Sequence, residues 1–265
     1  IGQKLIMGIT GLFLVSFLFV HLGGNILLFI PDQGETFNAF VRFMTSNPVI
    51  KVLEWVLFGG FIVHIIYAAV ITRKNASARP TGYAYKGNQG KSSSWFSRNM
   101  GLTGSIFLVF LLSHIAMFWG AYKFGDSNFE ASLEQAYSHS YKIKQDVSIG
   151  EEILVASGHY IDFEELTAAR TAGISEQVVK VKNMTAIVTD AFSQWWIVLL
   201  YVVAMAILAF HLNHGFQSAF RSLGFVHTKY TPLISNIGTG IAVIFPLAFA
   251  LMPIIYFLFA GTYTA

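Results

Sequence analysis

Apolar residues dominate five long stretches of the chain, residues 5–30, 50–72, 99–122, 191–220 and 232–260, and polar residues collect between them. Each stretch reaches or exceeds the roughly 20 apolar residues that a bilayer-spanning helix needs. Stretch 191–220 carries no Asp, Glu, Lys or Arg in its thirty residues. The pattern predicts an all-α polytopic membrane protein: five transmembrane helices, a core of four, and a fifth helix at the periphery. That fifth stretch contains Pro246 and Pro253, which predict a kink. Segment 123–190 is longer than an ordinary loop. Within it, EEILVASG and SEQVVKVKNMTAIVTDAF predict short surface helices or strands over the mouth of the protein.

Composition agrees with the pattern. Only 12% of the 265 residues are charged and 54% are hydrophobic, against about a quarter charged in soluble domains. The length suits one domain, 1–265. There is no cysteine, so this chain supplies neither disulfides nor thiolate ligands for zinc or iron–sulfur clusters. The first apolar stretch is too long for the core of a signal peptide and is expected to remain in the mature protein.

The net charge of +3 says little, but the placement of charge is informative. Arg73, Lys74, Arg79, Lys86, Lys91 and Arg98 lie between the second and third stretches with no acid among them. Lys4, Arg221 and Lys229 fall on the same side, and all fourteen acids on the other. Short basic loops stay in the cytoplasm. The expected arrangement is a membrane protein with its N-terminus inside and its C-terminus outside.

Four of the five stretches hold a histidine well inside them: His21, His64, His114 and His211, with His214 one turn beyond the last. An ionisable side chain at that depth is costly and marks a functional site by default. With 1.5 Å of rise per residue, His21 and His114 lie roughly 24 and 22 Å from the inner helix ends, and His64 and His211 roughly 12 and 13 Å. Two facing pairs at two depths match the demand of two bis-imidazole haems, whose irons each take axial nitrogens from different helices. Gly23 and Gly24 beside His21, Gly59 and Gly60 before His64, and Gly101 and Gly104 in the third stretch offer room for a macrocycle, although small residues also serve close helix packing. A proton relay or a metal transport site would also use buried histidines, but usually beside Asp or Glu, and Glu54 is the exception in nearly acid-free spans. His139 and His159 fall in the long polar segment and are expected to be exposed.

The run HLGGN from His21, then TFNAFVRFMTSNP from Thr36 with LE ending at Glu54, then His64, and later His211 with Gly215, Leu223 and Gly224 resembles the cytochrome b membrane anchor of succinate:quinone oxidoreductases. The type it resembles is the single-chain, five-helix, dihaem form of bacterial succinate dehydrogenases and fumarate reductases, which implies a place in the bacterial inner membrane. The resemblance covers all five spans. It implies that His21 and His114 hold the iron of an outer haem b, and His64 and His211 that of an inner one. His211 rather than His214 takes the ligand position, because Gly215 aligns with the family glycine. The long outer segment departs from the compact members. Ala209 stands where some fumarate reductases carry a glutamate implicated in proton transfer, which leaves a proton route through that helix in doubt.

The implied role is that of a non-dicarboxylate-binding subunit of a respiratory-chain and tricarboxylic acid cycle enzyme. It would pass electrons between an iron–sulfur subunit, itself served by a flavoprotein subunit on the cytoplasmic face, and membrane quinone, with menaquinone the expected species. Membrane lipid is a further partner, a dimer of heterotrimers is compatible with the resemblance, and no nucleic acid is implied. The basic inner loops suit docking and haem propionates. Glu54 is the candidate proton acceptor beside the quinone, with pairing to Lys51 or Arg42 as its other reading. Two alternatives stay open: the dihaem quinol-oxidising subunit of another respiratory complex such as nitrate reductase, whose ligand histidines share helices, and a non-haem transporter or anchor.

Overall fold

The computed structural model describes residues 2–32, 34–78, 98–124 and 184–264. Among them there is no strand, and five helices are long and apolar enough to cross a membrane. Helix α1 (Gly2–Ile26) ends in a 3-10 turn, Leu27–Phe29. Helix α2 (Glu35–Ser46) is short, and α3 (Pro48–Ser77) is the second span. The third span starts as α4 (Met100–His114), becomes π-helical over Ile115–Gly120, and closes with α5 (Ala121–Phe124). A short α6 (Met184–Phe192) precedes the fourth and fifth spans, α7 (Trp195–Ser222) and α8 (Tyr230–Thr264).

Two sequence expectations change. Ala191 and Phe192 belong to α6, and the fourth span begins only at Trp195. The intervening Ser193 and Gln194 form a turn, with Ile197 N–H returning to the Gln194 carbonyl at 3.0 Å. Second, α8 keeps helical dihedrals through Pro246 and Pro253, and its departure comes later, at Phe259 (φ −127°, ψ 21°). The described end of the long segment, Met184–Phe192, is helical, one of the two forms expected of it. EEILVASG, His139, His159, Arg79, Lys86 and Lys91 lie outside the described residues.

Local chemistry sets the remaining ends. The Asp32 carboxylate accepts from Gly34 N (3.0 Å) and Thr36 N (2.9 Å), satisfying donors that the start of α2 leaves free. Asn47 is extended (φ −65°, ψ 124°) because the following Pro48 disfavours helix there, and Pro48 then opens α3. The end of α7 is capped by Gly224 at φ 86°, with Phe225 N bonding to the Phe220 carbonyl (3.0 Å) and Gly224 N to that of Arg221 (3.2 Å). That pair of bonds is a Schellman motif.

The helices gather into two compact units. The first comprises Ile1–Leu22, Pro48–Leu111 and Leu199–Met252. Its core is built on α7 and α8, from Tyr201, Leu208, Leu212, Ala242, Phe245 and Phe249. Helix α3 buries no residue. Val49, Val52, Trp55 and Ile62 stand exposed on it, as lipid-facing side chains do where the solvent is hydrocarbon. At its end, Lys74 Nζ donates to Gln3 Oε1 of α1 (3.0 Å).

The second unit comprises Gly23–Asn47, Leu112–Val198 and Pro253–Ala265. There α6 docks on α2 through a buried polar joint. Asn38 Oδ1 accepts from Thr185 N (3.1 Å) and from Thr185 Oγ1 (3.3 Å). Gly34 (φ 84°) sits directly against the Thr185 side chain, so a side chain there would be both strained and obstructed. Asn38→Ala strands the buried Thr185 N–H and is expected to cost about 1–3 kcal/mol. A fall in the thermal unfolding midpoint in detergent checks it, with Thr45→Ala, whose hydroxyl bonds back within its own helix, as the control.

Candidate functional site

His64 and His211, the pair expected nearer the inner helix ends, both lie in the first unit. His64 is half-buried on α3, and His211 is half-buried on α7. They are within electrostatic reach of each other. Each ring lies against a glycine of a further helix. A Cβ on Gly11 of α1 would stand 3.4 Å from His64 Cε1, and one on Gly104 of α4 would stand 3.3 Å from His211 Cε1. Any larger residue at either place would occupy the space beside the ring.

The two rings differ in their hydrogen bonding. His64 Nδ1 lies 3.1 Å from Thr10 Oγ1 of α1. His211 Nδ1 is buried with no hydrogen-bond partner among the described residues. An unpaired polar atom in an apolar interior costs free energy, and it persists most readily where the ring is held for another purpose. His214, one turn on, is half-buried and within electrostatic reach of His211 and of Arg221 near the end of α7.

Of the glycines expected to make room for a macrocycle, only Gly104 faces a histidine. Gly24 packs on Phe40, Gly60 on Phe13 and Gly101 on Thr72, while an added Cβ on Gly23 or Gly59 would meet no atom of the described residues within 4 Å. Sequence reasoning misses Gly11, because it is remote along the chain from the ring it faces. No signal local to His64 points to it.

His21, also in the first unit, stacks on Phe17 one turn earlier (5.3 Å between centroids, 16° between planes). Phe249 of α8 approaches the same ring at 5.5 Å, so the fifth span, though it lacks a histidine, borders this one. In the second unit, His114 is the last residue of α4, at the entry to the π-helical stretch. Its ring lies 5.3 Å from that of Phe118, which in turn meets Phe192 of α6 at 5.8 Å. Single π-helical turns occur often at functional sites, because the extra residue re-aims the side chains that follow.

Glu54 is half-buried in the second turn of α3. The structure adds a second carboxylate, Asp190, that the sequence does not single out. In the second unit an open cleft of about 600 Å³ is lined by Ala116, Met117 and Gly120 of the π-helical stretch, by the exposed Asp190 of α6, and by Gln194 and Trp196. Its size falls within the roughly 300–1,000 Å³ of small-molecule sites, and its lining is mostly apolar with a few polar groups, as such sites are. Gln194 Oε1 accepts from Trp196 Nε1 at 3.3 Å.

Among the described residues no three or more His, Cys, Asp or Glu are grouped to hold a bare metal ion. Haem iron asks less of the protein, since the porphyrin supplies four nitrogens and the chain only the axial ones. The inner site fits that demand with two imidazoles from different helices, glycine beside each ring, and one buried ring nitrogen unpaired. Comparison with protein-family models, curated proteins and solved structures finds no match.

Proposed function

We propose that this chain is the dihaem cytochrome b membrane anchor of a succinate dehydrogenase or fumarate reductase, placed between an iron–sulfur subunit and membrane menaquinone. The observation that carries the proposal is the inner site: His64 and His211 approach one another from α3 and α7, with Gly11 and Gly104 leaving space at the rings. When bound, two b-type haems supply reversible one-electron transfer that no side chain here provides. His64 and His211 would hold one, and the sequence resemblance alone assigns His21 and His114 to the other.

The chain's own contribution is threefold. It holds imidazoles inside a low-dielectric interior, it presents a basic face for docking and for haem propionates, and it manages the quinone proton. For the first, Thr10 and the two glycines set the inner rings. For the second, Arg73, Lys74 and Arg98 remain the described members of the basic segment, on the side assigned to the cytoplasm by charge. For the third, Glu54 and Asp190 are both carboxylates at a span end or cleft wall, and either could accept a proton beside a quinone ring.

The reduced-minus-oxidised visible spectrum of the purified protein tests this reading. Two b-type components and copurifying flavoprotein and iron–sulfur subunits are expected, and a spectrum without b-type bands would leave the non-haem transporter or anchor. Glu54→Gln is expected to keep both components and to lower menaquinol-analogue turnover by ~10²-fold or more. Full turnover in that variant, with loss in Asp190→Asn, would move the proton role to the cleft.

A further inference from the structure

We infer that Thr10 is a positioning residue for His64: its hydroxyl accepts a hydrogen bond from the His64 Nδ1–H, which leaves the Nε2 lone pair as the one presented to iron. The inference rests on the dihaem reading and goes beyond it, because neither a histidine pair nor its spacing indicates which ring nitrogen is free.

The direction of the bond follows from proton accounting. A threonine hydroxyl has one proton and two lone pairs. Thr10 Oγ1 lies 2.9 Å from the Ile6 carbonyl and 3.2 Å from that of Met7, both in its own helix. In a bilayer interior no water competes for that proton, so the backbone carbonyls take it. What remains toward His64, at 3.1 Å, is a lone pair. A neutral imidazole facing an acceptor at Nδ1 carries its proton there, and its Nε2 is then unprotonated.

Thr45, Thr103 and Ser105 also bond back to carbonyls of their own helices. Among these hydroxyls Thr10 alone also meets an imidazole. Its neighbour Gly11 makes the approach feasible, since a Cβ there would stand 3.4 Å from His64 Cε1 and 3.9 Å from Nδ1. Threonine supplies the acceptor and glycine the room, on adjacent residues of α1. Helix α3 needs such an anchor, because it buries no residue and packing alone holds its rotation weakly.

Outer-shell partners of this kind orient a ligand ring and raise its basicity. A more basic imidazole favours the ferric over the ferrous state. Among the described residues His211 Nδ1 makes no comparable bond. Thr10→Val keeps the shape and removes the acceptor, whereas Thr10→Ser keeps the hydroxyl and removes the methyl.

Optical redox titration of the intact complex, resolving both b components, is the test. In Thr10→Val the His64–His211 component is expected to rise in midpoint potential by the equivalent of about tenfold in ferric preference, ~59 mV for one electron. The other component should stay in place and Thr10→Ser should stay near the wild type. Should Thr10→Val lose that component altogether, retention in Thr10→Ser supports the hydrogen bond and loss in both overturns it. An unchanged or lowered potential in Thr10→Val also overturns it. Absence of b-type haem from the wild-type complex would instead refute the proposed function, a distinct result.

Discussion

Under the proposed dihaem reading, replacing His64 or His211 by alanine is expected to remove the same one of two b-type components, and replacing His21 or His114 to remove the other. Loss of an outer-shell partner alone weakens metal binding roughly 10–100-fold, and loss of an axial nitrogen should exceed that. The surviving component reports that the variant has folded and inserted. His214→Ala is the control, because His214 lies one turn along α7 toward Arg221 and should leave both components in place. Visible spectra of four single variants therefore decide the ligand set. If His64→Ala and His211→Ala removed different components, the pairing would be wrong.

Filling the space beside the inner rings should have nearly as large an effect without touching a ligand. Gly11→Leu and Gly104→Leu would each drive branched carbons toward an imidazole that already lies 3.4 or 3.3 Å from where Cβ would stand. Neither helix can back away easily. A Cβ on Gly8 of α1 would lie 3.3 Å from the Ala219 carbonyl oxygen, and one on Gly101 of α4 would lie 3.1 Å from Thr72 Oγ1. The expected result is loss of the His64–His211 component, with the other retained. Gly11→Ala adds only a methyl at ordinary contact distance and should keep both. Two normal components in Gly11→Leu would show that the space beside His64 is not used.

The spans, and the depths at which histidines recur along them, were legible in the sequence. Length and hydropathy are local properties, and an α-helix converts residue number directly into height. The expected ends fall within about five residues of those observed, and the fourth span starts four residues late because Ser193 and Gln194 form a turn ahead of it. The Asn47–Pro48 boundary and the Gly224 cap depend equally on the backbone chemistry of adjacent residues.

Which face of each helix meets which neighbour was decided only by the tertiary structure. A span apolar on every side, as α3 is, carries no stripe that would set its rotation. Its sequence therefore specifies how deep His64 lies but not where the ring points. Thr10, Gly11 and Gly104 come to the inner rings from other helices, and Asp190 reaches its cleft because Asn38 holds Thr185 of α6 against α2. Height is written along one helix, whereas contact requires two.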